Sequence, residues 1–84
     1  MKTKNKSTKY IRLFKKYTTK GYLTKKQIKK LMKIEFRLSY TIHVFNAFMN
    51  IWSTIIDNRR VITKNTFINK LFRKPDGFFR DIVL

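Results

Sequence analysis

The side chains of this chain that could do chemistry are almost all cations. Lys and Arg make up 21 of its 84 residues, against four carboxylates (Glu35, Asp57, Asp76 and Asp81) and one imidazole, His43. The carboxylates are scattered rather than paired, so they do not suit general acid–base work, and Glu35 and Asp57 read as salt-bridge partners for nearby Arg. His43 has neither a Cys nor a second imidazole with which to hold a metal, and reads as a hydrogen-bonded helix residue. With no Cys there is no disulfide, thiol nucleophile or Cys-based zinc site. Two glycines, Gly21 and Gly77, cannot build a Gly-rich loop that cradles phosphate. The expectation is a protein that is not an enzyme, with no cofactor, no metal and no small-molecule substrate.

What the cations can do is meet phosphate. Thirteen of them lie in residues 1–33, ahead of the first acidic residue, so that segment carries +13 and the remainder +4 of the net +17. Self-repulsion on this scale contributes nothing to a fold, and a polyanion that neutralises it is the physical explanation. Nucleic acid comes first among polyanions and an anionic membrane surface second. Lys25, Lys26, Lys29 and Lys30 are candidate phosphate contacts on a basic helix. Arg59 and Arg60 sit where a helix gives way to a strand, Lys64 falls at the tip of an expected hairpin, and Lys70, Arg73 and Lys74 follow it. Arg can fork two donors onto one phosphate and stack on bases, so such a cluster suits backbone contacts to structured RNA.

These residues need elements to position them, and 84 residues allow one small domain at most. A domain of this size buries only about 60% of its unfolded surface, so ordering is expected to be completed by a partner. Residues 1–9 lack apolar periodicity and read as a disordered basic arm. Tyr10, Ile11, Leu13, Phe14 and Tyr17 suit a short amphipathic helix that Gly21 ends, giving an arm over 1–23. Thr24 followed by Gln27 matches a capping box and opens a helix over 24–34, with Ile28, Leu31 and Met32 on one face and lysines around the rest. Past Asn58, Val61–Thr63 and Thr66–Ile68 are two β-prone triplets linked by Lys64-Asn65, which predicts a hairpin over 61–68. Lys74-Pro75-Asp76-Gly77 predicts a turn, and Phe78 to Leu84 a closing strand.

From Leu38 to Ile56 nineteen residues carry no formal charge. One reading is a single membrane-spanning helix, for which the length is right. The other is two shorter packed helices, over about 35–48 and 51–58, broken near Met49 and Asn50; it is favoured by the many polar groups in the run, from Ser39 to Thr54. The expected class is therefore α+β and mostly helical: two short packed helices, a β-hairpin and a terminal strand, behind a basic N-terminal extension.

Composition carries a further signal. Phe, Tyr, Met, Ile, Asn and Lys account for 46 residues, whereas Gly, Ala, Arg and Pro account for ten. A largely helical chain with one Ala is not what helix propensity selects, and an AT-rich genome, as organelles often have, explains it. No secretory signal is visible, because no apolar run follows the N-terminal charges.

The stretch "RLSYTIHVFNAF" from Arg37, followed by "IIDNRRVITKNTFIN" from Ile55 and "KPDGFF" from Lys74, resembles the alpha-L RNA-binding domain of the ribosomal small-subunit protein four family. The likeness spans residues 37–84. Ser39 stands in place of the family's Asp, the family's Ala-Arg on the second helix has no counterpart around Ser53, and Asn65-Thr66 replaces the hairpin Gly. The resemblance implies ribosomal RNA and neighbouring ribosomal proteins as partners, and it adds Arg37 to Arg59, Arg60 and Lys64 as RNA-facing residues. The reading that follows is a structural constituent of the mitochondrial small ribosomal subunit, in the matrix and encoded by the organelle. The alternative is a single-span accessory subunit of an organellar inner-membrane complex, and only this alternative involves a membrane.

Overall fold

The computed structural model describes residues 4–18 and 20–82. Within them lie helices α1 (Lys4–Tyr17), α2 (Lys25–Glu35), α3 (Ile42–Trp52) and α4 (Lys64–Asn69), and strands β1 (Tyr22–Thr24), β2 (Thr54–Ile56) and β3 (Arg59–Thr63). The strands form one antiparallel sheet in the order β1-β3-β2. The class is α+β, as its residue patterns predict, but several elements fall elsewhere.

Helix α2 follows its sequence signals closely. The Thr24 backbone N–H donates to Gln27 Oε1 at 2.9 Å and the Gln27 N–H to Thr24 Oγ1 at 3.3 Å, which completes the capping box. Its apolar face, Ile28, Leu31 and Met32, is buried.

Helix α1 begins at Lys4, so most of the segment read as a disordered arm is helical; residues 1–3 lie outside the described part. Its apolar residues explain why. Tyr10 stacks on Phe72 with ring centroids 4.3 Å apart, and Phe14 meets Phe67 at 5.5 Å. Leu13 and Phe14 are buried in the same core as Leu23, Ile62, Phe67 and Leu71. The helix is thus docked on the domain and is not an appendage of it.

The uncharged run from Leu38 to Ile56 is neither one long helix nor two. Residues 36–41 link α2 to α3, with Arg37 in the left-handed region (φ 56°), from which the Leu38 N–H reaches back to Met32 O at 3.0 Å. Thr41 caps α3 by accepting from the Val44 N–H at 3.3 Å. The helix then runs through Met49 and Asn50 without a break and stops at Trp52. The β-branched residues Thr54, Ile55 and Ile56 follow as β2 where a helix over 51–58 was expected. No helix among the described residues is long and apolar enough to cross a membrane.

The hairpin also lies upstream of its expected place. Ile56 pairs with Arg59, which leaves Asp57-Asn58 as a two-residue link with both φ values positive, 51° and 63°. Asp and Asn tolerate that conformation, and a two-residue link of this kind matches the twist of the strands it joins. Lys64-Asn65 is not a turn at all. Thr63 caps α4 by accepting from the Thr66 N–H at 3.3 Å, so the second expected strand, 66–68, is helical and sinks Phe67 into the core.

After α4 the chain closes in turns instead of a strand over 78–84; Val83 and Leu84 lie outside the described residues. The expected turn at Lys74–Gly77 is present, with the Gly77 N–H donating to Arg73 O at 2.6 Å. A Cβ on Gly77 would lie 2.3 Å from Leu71 O, so only Gly fits this close backbone approach. The turn seats Phe78 and Phe79 in an aromatic cluster with Phe36, Phe48 and Phe72. The described residues enclose this core by themselves, with a Cα radius of gyration of 12.4 Å, against about 12 Å for a compact domain of this length.

Candidate nucleic-acid interface

The sheet register gathers four of the cations. Thr24, the last residue of β1, pairs with Val61, and α2 begins at the next residue. Strand β3 continues past that pair to Arg60 and Arg59, which are bound on their other edge to Ile55 and Ile56 of β2. The start of α2 is thereby set beside the start of β3. Lys25, Lys26, Arg59 and Arg60, with Thr24, line one open cleft of about 550 Å³. All four cations are exposed, and no carboxylate lines the cleft.

Two further features add positive potential. The first turn of α2 holds no acidic residue, so the positive end of its dipole points toward its own lysines. Helix design ordinarily puts carboxylates there, and the reversed pattern leaves a place where an anion relieves repulsion. The Arg60 guanidinium donates from Nη1 to Ser53 Oγ at 3.2 Å, which fixes it relative to the end of α3. The Ser53 hydroxyl in turn donates to Met49 O.

Helix α2 also carries Lys29 and Lys30. The Nζ atoms of Lys25 and Lys29 stand 5.9 and 5.8 Å from the centroid of the Phe45 ring, so cation–π attraction holds both over the α2–α3 seam. Lys30 is exposed on the outer face of the helix.

The remaining candidates do not join this group. Arg37 is in the α2–α3 link and not on a helix. Lys64 opens α4 at the far end of β3, where Thr63 pairs with Tyr22, and it is not at a hairpin tip. It stands about four residue steps from Arg60, or roughly 13 Å along a strand. Lys70 ends α4, and Arg73 and Lys74 belong to the turns beyond it. All are exposed.

The carboxylates also fall differently. Glu35 accepts from Lys16 Nζ at 2.8 Å and from Tyr17 Oη at 2.6 Å, joining the ends of α1 and α2 where an Arg partner was expected. Its carboxyl is held below its ordinary pKa first by the Lys16 hydrogen bond and then by that of Tyr17. Asp57 serves the hairpin turn. His43 is exposed on α3.

Sequence reasoning missed the joining of the Lys25-Lys26 and Arg59-Arg60 pairs into one cleft, because it placed the hairpin too late. The signal was present: Asp57-Asn58 lies between Thr54-Ile55-Ile56 and Arg59-Arg60-Val61-Ile62-Thr63, two β-prone runs separated by two residues that tolerate positive φ. No family model matches this chain, and neither does any curated protein or solved structure.

Proposed function

We propose that this protein binds nucleic acid without catalysing a reaction, and that its ligand is ribosomal RNA within the small subunit of a mitochondrial ribosome. The observation that carries the first part is the convergence of Lys25, Lys26, Arg59 and Arg60 on one acid-free cleft. A string of phosphates is the polyanion that four clustered cations and a helix N-terminus suit, and the chain's net charge of +17 adds long-range attraction. The ribosomal assignment draws its support from the residue likeness beginning at Arg37 and from the AT-rich codon signature, not from the element order. The likeness implies a helix, a short helix and a hairpin over 61–68; the chain instead has α3, a hairpin over 54–63 and then α4.

In this reading the cleft grips the RNA backbone, α2 lies along it through Lys26, Lys29 and Lys30, and Arg37, Lys64, Lys70, Arg73 and Lys74 make outlying contacts. Sedimentation of a gentle detergent lysate of mitochondria, with and without ribonuclease, tests it. Co-migration with the small subunit that is lost on ribonuclease treatment is the expected result. Migration that ignores ribonuclease, with a membrane complex or alone, would overturn it.

A further inference from the structure

The groove between α1 and the end of α2 plays no part in that reading, and its chemistry differs from that of the cleft. Lys9, Arg12 and Lys16 recur at spacings of three and four, which sets them on one face of α1, and all three are exposed. With Leu13 and Glu35 they line an open groove of about 280 Å³. Leu13 is its apolar wall, packed into the core with only 8% of its surface exposed. Glu35 accepts from Lys16 Nζ and Tyr17 Oη, and both bonds fall on Oε2, so neither uses Oε1. Arg12 has no hydrogen-bond or ion-pair partner among the described residues.

The groove and the cleft lie at opposite ends of α2. Lys25 and Lys26 open that helix beside Arg59 and Arg60, whereas Glu35 closes it, roughly 15 Å away along the axis. Their linings suit different parts of a nucleotide. Four cations and a threonine offer donors for phosphate and no surface for a base. The groove brings together cations, an apolar wall and a carboxylate. A site for anions alone would leave the carboxylate out, because it repels them. A nucleobase uses every part: its faces pack on a guanidinium plane and an apolar side chain, and its polar edge donates to the carboxylate. The phosphate it carries meets the flanking lysines. Lys16 can serve both partners, since its ammonium has three donors and gives one to Glu35.

The polar edge decides which base fits. Cytosine presents its N4 amino group, from which a carboxylate accepts, whereas uracil puts a carbonyl oxygen at the same place. We propose that the groove between α1 and α2 binds one unpaired cytidine of a single-stranded RNA segment, with Arg12 and Leu13 against the base, Glu35 accepting from its amino group, and Lys9 and Lys16 on the adjoining phosphates. This rests on the reading of the ligand as RNA, and it adds a base-specific contact to a site that grips the backbone.

The test is the affinity of the full purified chain for oligocytidine and oligouridine RNA of equal length, read by fluorescence anisotropy at neutral pH. The two bases share one ring and differ at the edge that meets Glu35. Oligocytidine is expected to bind about tenfold more tightly, the worth of one hydrogen bond to a charged group. E35Q, whose amide both donates and accepts, should bring the two affinities together. That readout is a ratio taken on folded protein, so a loss of stability does not move it. R12K keeps the charge but not the planar fork, and should weaken oligocytidine binding by about threefold. K25Q/K26Q, in the cleft, should weaken both oligomers and leave their ratio unchanged. Equal affinities in the wild-type chain, or a preference that survives E35Q, would overturn the groove as a base site and leave the RNA reading standing. No binding to either oligomer would overturn it too, and folded ribosomal RNA in the same assay shows whether the RNA reading falls with it.

Discussion

Thr24 links local structure to the candidate site, because it ends β1, caps α2 and lines the cationic cleft. Removing its hydroxyl unmakes the reciprocal pair with Gln27. T24A is expected to destabilise the chain by about 1 kcal/mol, within roughly 0.5–2. Urea denaturation measures this, and an unchanged midpoint would show that the cap contributes nothing. Glu35 offers a second test. Its carboxyl titrates below its ordinary value in the fold, chiefly through Lys16 and next through Tyr17. A group whose folded pKa is depressed stabilises fully above its unfolded pKa and loses that contribution as pH falls through the folded one. Lys16 and Tyr17 are both raised, each first by its hydrogen bond to Glu35, so their share is lost only as pH climbs through their folded values at the alkaline end. The stability gap between wild type and E35Q is therefore expected to be flat near neutrality and to shrink on acidification below the ordinary carboxylate range. Urea titrations at a series of pH values read it, and a gap that widens with acid would contradict the pairing.

At the scale of elements, α1 separates the sequence reading from the fold. Its Tyr10 and Phe14 complete an aromatic core with Phe67 and Phe72, so α1 is part of the domain. A chain beginning at residue 18 is expected to lose cooperative unfolding and near-UV circular dichroism, since deleting one buried Phe alone costs about 3–5 kcal/mol. A truncated chain that unfolds at the wild-type midpoint would restore α1 to the status of an arm. The elements legible in sequence were those with strong local signals. The capping box and the i, i+3, i+4 spacing of Ile28, Leu31 and Met32 placed α2, and the Pro-Gly segment placed the turn at Lys74–Gly77. The rest was decided by packing. Thr66-Phe67-Ile68 suits a strand on propensity, but Thr63 caps a helix there and that helix delivers Phe67 to Phe14. Asn50 resembles a helix break, yet the helix continues because Met49 is buried before it and Trp52 is half-buried after it. The Lys25, Lys26 and Arg59, Arg60 pairs were each legible as candidates. Their union depends on the Thr24–Val61 pairing, which no local signal specifies.

The whole molecule concentrates positive charge outside an apolar core, and it measures 39 × 25 × 22 Å. Its cations are distributed unevenly: some gather at the junction of α2 and β3, while α3 has none. Affinity for a nucleic acid held by phosphate contacts falls with salt in proportion to the number of contacts, and this provides the most direct test of the cationic cleft. The measurement is the affinity of the full chain for folded small-subunit ribosomal RNA across a salt series, compared with that of the K25Q/K26Q/R59Q/R60Q variant. The slope of log affinity against log salt is expected to become shallower in the variant by roughly 0.9 for each of the four contacts removed. A variant whose slope and affinity equal those of the wild type would contradict the assignment of the cleft as the site where this protein holds its nucleic acid.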